Sequence, residues 1–246
     1  MDGVLYEGER PIGCPGPVIE KLREKIGKVL FTTNNATLDR DAYVKKLRRI
    51  GIYADRSEII TSAYAVALYL KRMKQATVFP VGEKGLINEL RAAKVRMTRT
   101  PEQANCLVVG LDRKLTYAKI ALAARALFAG ARFVATNADK TYPTEKGLMP
   151  GAGAVIGAIS GCTGREPDII IGKPSTYMLE LGLRIAGVRK KETVVIGDRL
   201  DTDIVAARKL GVRSILVLSG VTRRADLAKS SMKPDFVFNN LAEVVN

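Results

Sequence analysis

The chain has 246 residues, 47% of them hydrophobic, a formal net charge of +15 and no histidine. That length suits one large domain or two small ones with ample material for a core, and the lack of histidine excludes Ser-His-Asp triads, imidazole general bases and His-bearing zinc sites together. No apolar run approaches the roughly 18 residues of a membrane span and nothing resembles a signal peptide, so a cytoplasmic protein with no membrane partner is the expectation.

The positive charge invites a nucleic-acid partner, but it is spread along the chain. Residues 74–166 carry +7 of the +15, and the cluster Lys45-Lys46-Leu47-Arg48-Arg49 falls on an apparent helix face without interleaved aromatics. We read it as solvated surface that also draws anionic small molecules, and expect no nucleic acid. Cys14, Cys106 and Cys162 are odd in number and far apart, which suggests reduced core residues rather than a disulfide framework.

In chain order, the opening "MDGVLYEG" places Asp2 at the very start, with no job that local sequence explains. "VLFTT" (29–33) reads as a strand, followed by a helix from Asp39 to Ile50. "ATVFPV" (76–81) precedes the helical "EKGLINELRAAK", and "CLVVG" (106–110) precedes "TYAKIALAARALFAG". "RFVAT" (132–136) is a further strand. "GAGAVIG" (151–157) imitates a dinucleotide-binding glycine fingerprint but follows "TEKGLMP", which is no strand, so it reads as the start of a tightly packed helix. "DIIIG" (168–172) leads to "PSTYMLELGLRIAG", "TVVIG" (193–197) to "DIVAARKLG", and "SILVL" (214–218) and "DFVF" (235–238) close the series. Continuous apolar strands alternating with helices predict an α/β protein with a parallel sheet, whose ligands bind at the carboxyl ends of strands.

Three such ends carry polar groups. After "VLF", "TTNNAT" (32–37) offers the Thr33 hydroxyl and the amides of Asn34 and Asn35, a turn able to cradle phosphate oxygens; it is also compatible with a polar turn in which Thr37 or Asp39 caps the next helix. After "DIII", "GKPST" (172–176) offers Lys173 as a point charge for phosphate, with Pro174 suited to a first helical turn. After "TVVI", "GDRLDTDI" (197–204) sets Asp198, Asp201 and Asp203 close together, where their repulsion calls for a cation or a lysine. Oxygen ligands without Cys or His suggest Mg²⁺, and Asp201 alternatively caps the helix beginning near Thr202. Hydroxyl, amides, lysine and carboxylates together are equipment for handling a phosphate group.

With "DGVLYEG", "FTTNNAT", "LVVGLDRKLTY", "FVATNADKTYPTEKGLMPGAGA", "GKPS" and "GDRLDTDI" in this order, the chain resembles the haloacid dehalogenase superfamily over essentially its whole length. Within it, the resemblance is to the phosphatase branch with a large α/β cap. That implies a Rossmann-like parallel-sheet core, about 1–73 plus 167–246, interrupted by a smaller α/β cap of about 74–166. It implies a Mg²⁺-dependent phosphomonoester hydrolase acting on a small phosphorylated metabolite through an aspartyl-phosphate, with p-nitrophenyl phosphate as a surrogate substrate. An inactive phosphate-ligand-binding protein of the same fold is the alternative, and a homodimer is compatible with the resemblance.

Residue by residue, the resemblance implies that Asp2 is the general acid and lends its carbonyl to the metal. Thr33 and Asn34 bind the phosphoryl group, Lys173 neutralises it, Asp198 is a Mg²⁺ ligand and Asp203 supports the metal from behind. The attacking Asp of the family's Asp-x-Asp-Gly motif is expected one residue before Met1, at the end of an apolar strand. Residues i and i+2 of a strand face the same side, which accounts for that spacing. The segment 137–147 is expected to bear on substrate choice.

Overall fold

The computed structural model describes residues 1–144 and 147–245. A small antiparallel hairpin, β1 (Tyr6–Glu7) and β2 (Arg10–Pro11), precedes α1 (Pro15–Ile26). β3 (Phe31–Thr33), α2 (Arg40–Arg49), β4 (Ile59–Thr61) and α3 (Ser62–Lys71) follow, with β3 and β4 parallel. The middle of the chain contributes β5 (Thr77–Val81), α4 (Lys84–Ala92), β6 (Arg96–Met97), β7 (Cys106–Val109), α5 (Tyr117–Phe128) and β8 (Arg132–Ala135). An antiparallel hairpin of β9 (Thr141–Thr144) and β10 (Gly147–Pro150) leads to α6 (Ala152–Thr163), then β11 (Ile169–Ile170) and α7 (Tyr177–Ala186). The last third alternates β12 (Val194–Gly197), α8 (Val205–Leu210), β13 (Arg213–Val217), α9 (Arg224–Lys229), β14 (Phe236–Phe238) and α10 (Leu241–Val244).

Three parallel sheets result. The middle segment builds a five-stranded sheet of order β11-β8-β7-β5-β6, every pairing parallel. The flanking parts build β3-β4 and β12-β13-β14, also parallel. The α/β, parallel-sheet class is therefore present as the sequence suggested. Its basis is visible in β7, whose four residues are all buried, as strands covered by helices on both faces require. The helices start where side chains can satisfy their free amides: Asp39 accepts from Ala42 N at 2.8 Å, Thr61 from Tyr64 N at 3.0 Å and Thr116 from Lys119 N at 3.3 Å.

Some local readings change. "DIIIG" is a strand, but Ile169 and Ile170 pair with Val134 and Ala135 of β8, so it joins the sheet of the middle segment. Pro174 does not open a helix: α7 begins at Tyr177, and the Lys173–Pro174 peptide bond is cis. Of the cysteines only Cys106 belongs to the core; Cys14 and Cys162 are exposed, because they sit at the start of α1 and on the outer face of α6. "GAGAVIG" does open a helix, α6.

The middle segment is pinned to the flanking one beside the "TTNNAT" turn. Gly85 N donates to Thr37 O at 3.1 Å, and Asn88 Nδ2 donates to Asp39 Oδ2 at 2.6 Å. Glu89, fully buried on α4, accepts from Arg40 N at 2.9 Å and Arg40 Nε at 3.1 Å. The Arg40 guanidinium also lies 3.4 Å above the Tyr64 ring. A carboxylate this deep is stable only with such partners.

Candidate active site

The carboxyl ends of β3 and β12 and the loop after β11 converge on one cavity of about 100 Å³. Asp2, Thr33, Asn34, Lys173, Asp198 and Asp203, the six residues singled out by sequence, all line it. Their neighbours on the wall include Met1, Asn137, Asp139, Tyr142, Arg199 and Thr202.

Lys173 is the electrostatic centre. Its Nζ lies 2.6 Å from Asp203 Oδ1, with both side chains buried. Its backbone is clamped by Asn34: Lys173 N donates to Asn34 Oδ1 at 2.8 Å and Asn34 Nδ2 donates back to Lys173 O at 2.9 Å. Burial pushes the Asp203 carboxyl up, but Lys173, the Met1 ammonium and the Arg199 N–H outweigh it and hold the carboxyl below its ordinary value. Asp198 has no such partner. Burial first, and then the Asp203 charge, push its carboxyl up to about 6, although Val221 N donates to its Oδ2 at 2.9 Å. Asp2 is raised as well, chiefly by burial, and its Oδ1 is a buried oxygen without a hydrogen-bond partner. The Met1 ammonium is lowered by burial and then by Lys173.

Two glycines make room for Asp198. A Cβ on Gly3 would stand 2.3 Å from Asp198 Oδ2, and one on Gly220 2.2 Å from the same atom. Gly3 moreover has φ +72, a conformation side chains rarely adopt. The 3–8 loop and the 218–222 loop are joined by Ser219 Oγ donating to Gly3 O at 2.8 Å.

Among the described residues no three Asp, Glu, Cys or His side chains form a ready cage for a metal. That is what Mg²⁺ needs least: it keeps several waters and takes one or two carboxylates, completing its shell with substrate phosphate. The orphaned Asp2 oxygen, the unpaired charge demand at Asp198 and the all-oxygen donor set fit such an ion. Asp203 is not free for direct ligation, since Lys173 holds it.

Other readings shift in detail. Asp201 does not cap a helix. It is exposed and forms a two-pronged pair with Arg199, Oδ1 to Nε at 3.1 Å and Oδ2 to Nη2 at 2.9 Å, beside a π-helical turn over Leu200–Ile204. The Thr33 hydroxyl accepts from Asn35 N at 3.2 Å and meets the buried Tyr43 hydroxyl. The segment 137–147 supplies Asn137, Asp139, Thr141, Tyr142 and Pro143 to the wall; its Glu145 and Lys146 lie outside the described residues. Asn34 Nδ2 reaches Asp139 Oδ1 at 3.0 Å, and Asn137 Nδ2 donates to Asn34 O at 2.7 Å. Sequence reasoning did not single out Asn137, Asp139 or Arg199 individually. The strand-end position of "TNAD" after β8 was the signal for the first two.

Comparison with known proteins agrees with this architecture. A family model for haloacid dehalogenase-like hydrolases matches residues 1–96, and one described as HAD-hydrolase-like matches 170–244. An acid sugar phosphatase of Staphylococcus saprophyticus is 34% identical over 246 residues, all of this chain and 94% of the relative. The structure of p-nitrophenyl phosphatase from Archaeoglobus fulgidus superposes with TM-score 0.93 at 39% identity, covering 99% of this chain and 95% of that one. Glycerol phosphate phosphatase from Mycobacterium tuberculosis in complex with magnesium gives TM-score 0.90 at 33% identity, covering 98% and 73%. With relatives this similar over nearly its whole length, the chain belongs to the haloacid dehalogenase-like hydrolases.

Proposed function

We propose that the protein is a Mg²⁺-dependent phosphomonoester hydrolase acting on a small phosphorylated metabolite, with residues of about 1–73 and 167–246 as catalytic core and about 74–166 as a substrate-selecting cap. The observation that carries this reading is the buried ammonium of Lys173, fixed by Asp203 and Asn34 at the wall of a small cavity that also holds Asp2, Thr33 and Asp198. Relatives named as phosphatases support it.

In this reading Asp198 and the backbone carbonyl of Asp2 hold Mg²⁺, with Asp203 steadying the site from behind Lys173. The bound ion supplies positive charge against the phosphoryl oxygens. The Thr33 hydroxyl and the Asn34 amide hold those oxygens, and Lys173 neutralises them. A carboxylate one residue before Met1 attacks phosphorus while the bond to the leaving oxygen breaks, and Asp2 gives that oxygen its proton. Water then attacks the aspartyl-phosphate, passes its proton to Asp2, and inorganic phosphate leaves. A carboxyl raised by burial, as Asp2 is, holds its proton more readily than an exposed one, which suits a proton-donating role.

The test is phosphate release from p-nitrophenyl phosphate by a chain with Asp placed directly before Met1, against the same chain with Asn there. Hydrolysis by the first, abolished by EDTA and reduced on the order of a million-fold in the second, is expected. Equal rates would overturn the proposed chemistry.

A further inference from the structure

α4 carries two sides of opposite character. Leu86 and Leu90 are wholly buried in the apolar cluster that includes Val66 and Leu70 of α3. Gly85, Asn88 and Glu89, spaced i, i+3 and i+4, share another side and meet the segment that follows β3. Gly85 N donates to Thr37 O at 3.1 Å, Asn88 Nδ2 to Asp39 Oδ2 at 2.6 Å, and Glu89 Oε1 accepts from Arg40 N at 2.9 Å. The fit has no slack at Gly85, where a Cβ would stand 2.4 Å from Leu38 C and 2.5 Å from both Leu38 N and Thr37 C. Those are backbone atoms, which cannot swing aside as a side chain can.

Arg40 opens α2, so its N–H has no partner within that helix. Asp39 caps Ala42 N, and the carboxylate that answers Arg40 N comes from α4, its side chain only 1% exposed. From Thr37 the anchorage runs back toward the cavity. Thr37 N and Oγ1 donate to Asn35 Oδ1 at 2.9 and 2.7 Å, and Asn35 N donates to Thr33 Oγ1 at 3.2 Å. Thr33 and Asn34 line the cavity, whereas Glu89 does not. We propose that Glu89 is a positioning residue for the phosphoryl group, acting on Thr33 and Asn34 through Arg40 and the turn before it. This rests on the hydrolase reading, which assigns those two residues to the phosphoryl oxygens. The sign of the Glu89 charge separates geometry from field. A carboxylate repels an anion, so deleting it and leaving Arg40 uncompensated makes the surroundings more positive and by charge alone favours phosphate. A loss of phosphate affinity on deletion therefore reports a displaced turn.

Calorimetry on the full chain, with Mg²⁺ alone and with inorganic phosphate in the presence of Mg²⁺, tests this. Glu89→Leu removes the acceptor of Arg40 N and should weaken phosphate binding by about tenfold or more. Gly85→Ala keeps the ion pair but drives α4 from the turn, and should do the same. Glu89→Gln keeps an oxygen for Arg40 N and should stay within about threefold of the parent. Leu90→Ala, on the apolar side of the same helix, should lower the melting temperature by about 5 °C or more and leave phosphate affinity unchanged. Mg²⁺ affinity should hold within about twofold in every variant, because Asp198 follows β12 and not β3. If Glu89→Leu does not fold, the double variant Arg40→Met, Glu89→Leu leaves no buried charge and is read in its place. Undiminished phosphate affinity in Glu89→Leu, its substitute or Gly85→Ala would overturn the proposal. So would an equal loss in Leu90→Ala or Glu89→Gln, or a parallel loss of Mg²⁺ affinity. A parent chain that binds no phosphate with Mg²⁺ would overturn the phosphate reading of the site, and the proposal with it.

Discussion

Lys173→Met probes the electrostatic centre of the site. The Lys173 and Asp203 side chains are 7% and 8% exposed, and their charged atoms are 2.6 Å apart. Removing one partner of a buried pair costs about 3–5 kcal/mol, because the remaining charge stays behind without compensation. For a chain of this size 1 kcal/mol corresponds to about 2–4 °C, so the variant should melt about 6–20 °C lower at neutral pH in EDTA. Acidification then distinguishes a charge effect from lost packing. In the parent, Asp203 is held below its ordinary value. Its contribution is therefore complete above the unfolded carboxyl value of about 3.9 and is lost only as pH falls through the lower folded one. In the variant, burial acts without Lys173 and raises the carboxyl, so the penalty is full at neutral pH and is relieved as pH falls through that raised value. The difference between the two melting temperatures should narrow from neutrality to about pH 5. A Lys173→Met, Asp203→Leu double variant should recover part of the loss. A difference that stays constant or widens on acidification, or a double variant no better than the single one, would refute the argument.

Asp198→Asn in a hydrolytically competent chain should depress turnover by several orders of magnitude, whereas Asp201→Asn, which breaks only an exposed pair with Arg199, should cost about 1 kcal/mol of stability at most; similar mild effects in a kinetic assay would remove Asp198 from the metal site. Because a ligand must be ionised and Asp198 is pushed up to about 6, Mg²⁺ affinity measured by calorimetry should be level above that pH and fall about tenfold per unit below it; constant affinity across the range would contradict the assignment. Gly220→Ala places a methyl 2.2 Å from Asp198 Oδ2 in the undisturbed geometry, so Mg²⁺ binding should weaken more than the melting temperature falls, and unchanged affinity would show that the carboxylate can yield.

The strands and helices named from sequence were legible because burial and periodicity coincide in them. β7, with all four residues buried, could hardly be anything else. α3 was harder. Its "SAYAVALYLK" is apolar nearly all round, so no amphipathic stripe marks it, and its start depends on Thr61 accepting from Tyr64 N. The six candidate residues that line one cavity were legible because each directly follows a strand or stands in a motif. Gly220 and Ser219 were not, since their meaning lies in what they approach, Asp198 and Gly3, from more than twenty residues away in sequence. Asp201 illustrates the opposite failure: its spacing suits a cap, but Arg199 two residues earlier offers a stronger partner than the amides of a π-helical turn.

Asn34 shows why the turn after β3 and the loop after β8 form one unit. Its side chain spends its hydrogen-bonding capacity on Lys173 N, Lys173 O and Asp139 Oδ1. Its carbonyl accepts from Ser62 Oγ and from Asn137 Nδ2. The side chain is therefore occupied in positioning, and what it positions is the backbone of Lys173, whose ammonium pairs with Asp203. Asn137 and Asp139 follow β8 of the middle sheet, while Asn34 follows β3 of the flanking one. A displacement of the loop after β8 would thus pull on the backbone that carries Lys173 and on the turn that carries Thr33. The second tether, Glu89 on Arg40, fixes the same two bodies on the other side of the turn. The loop after β8 and the backbone that carries Lys173 are in this way linked through Asn34, with the Glu89–Arg40 pair as a second link between the same segments, so a shift of that loop acts on the charge placed by Lys173.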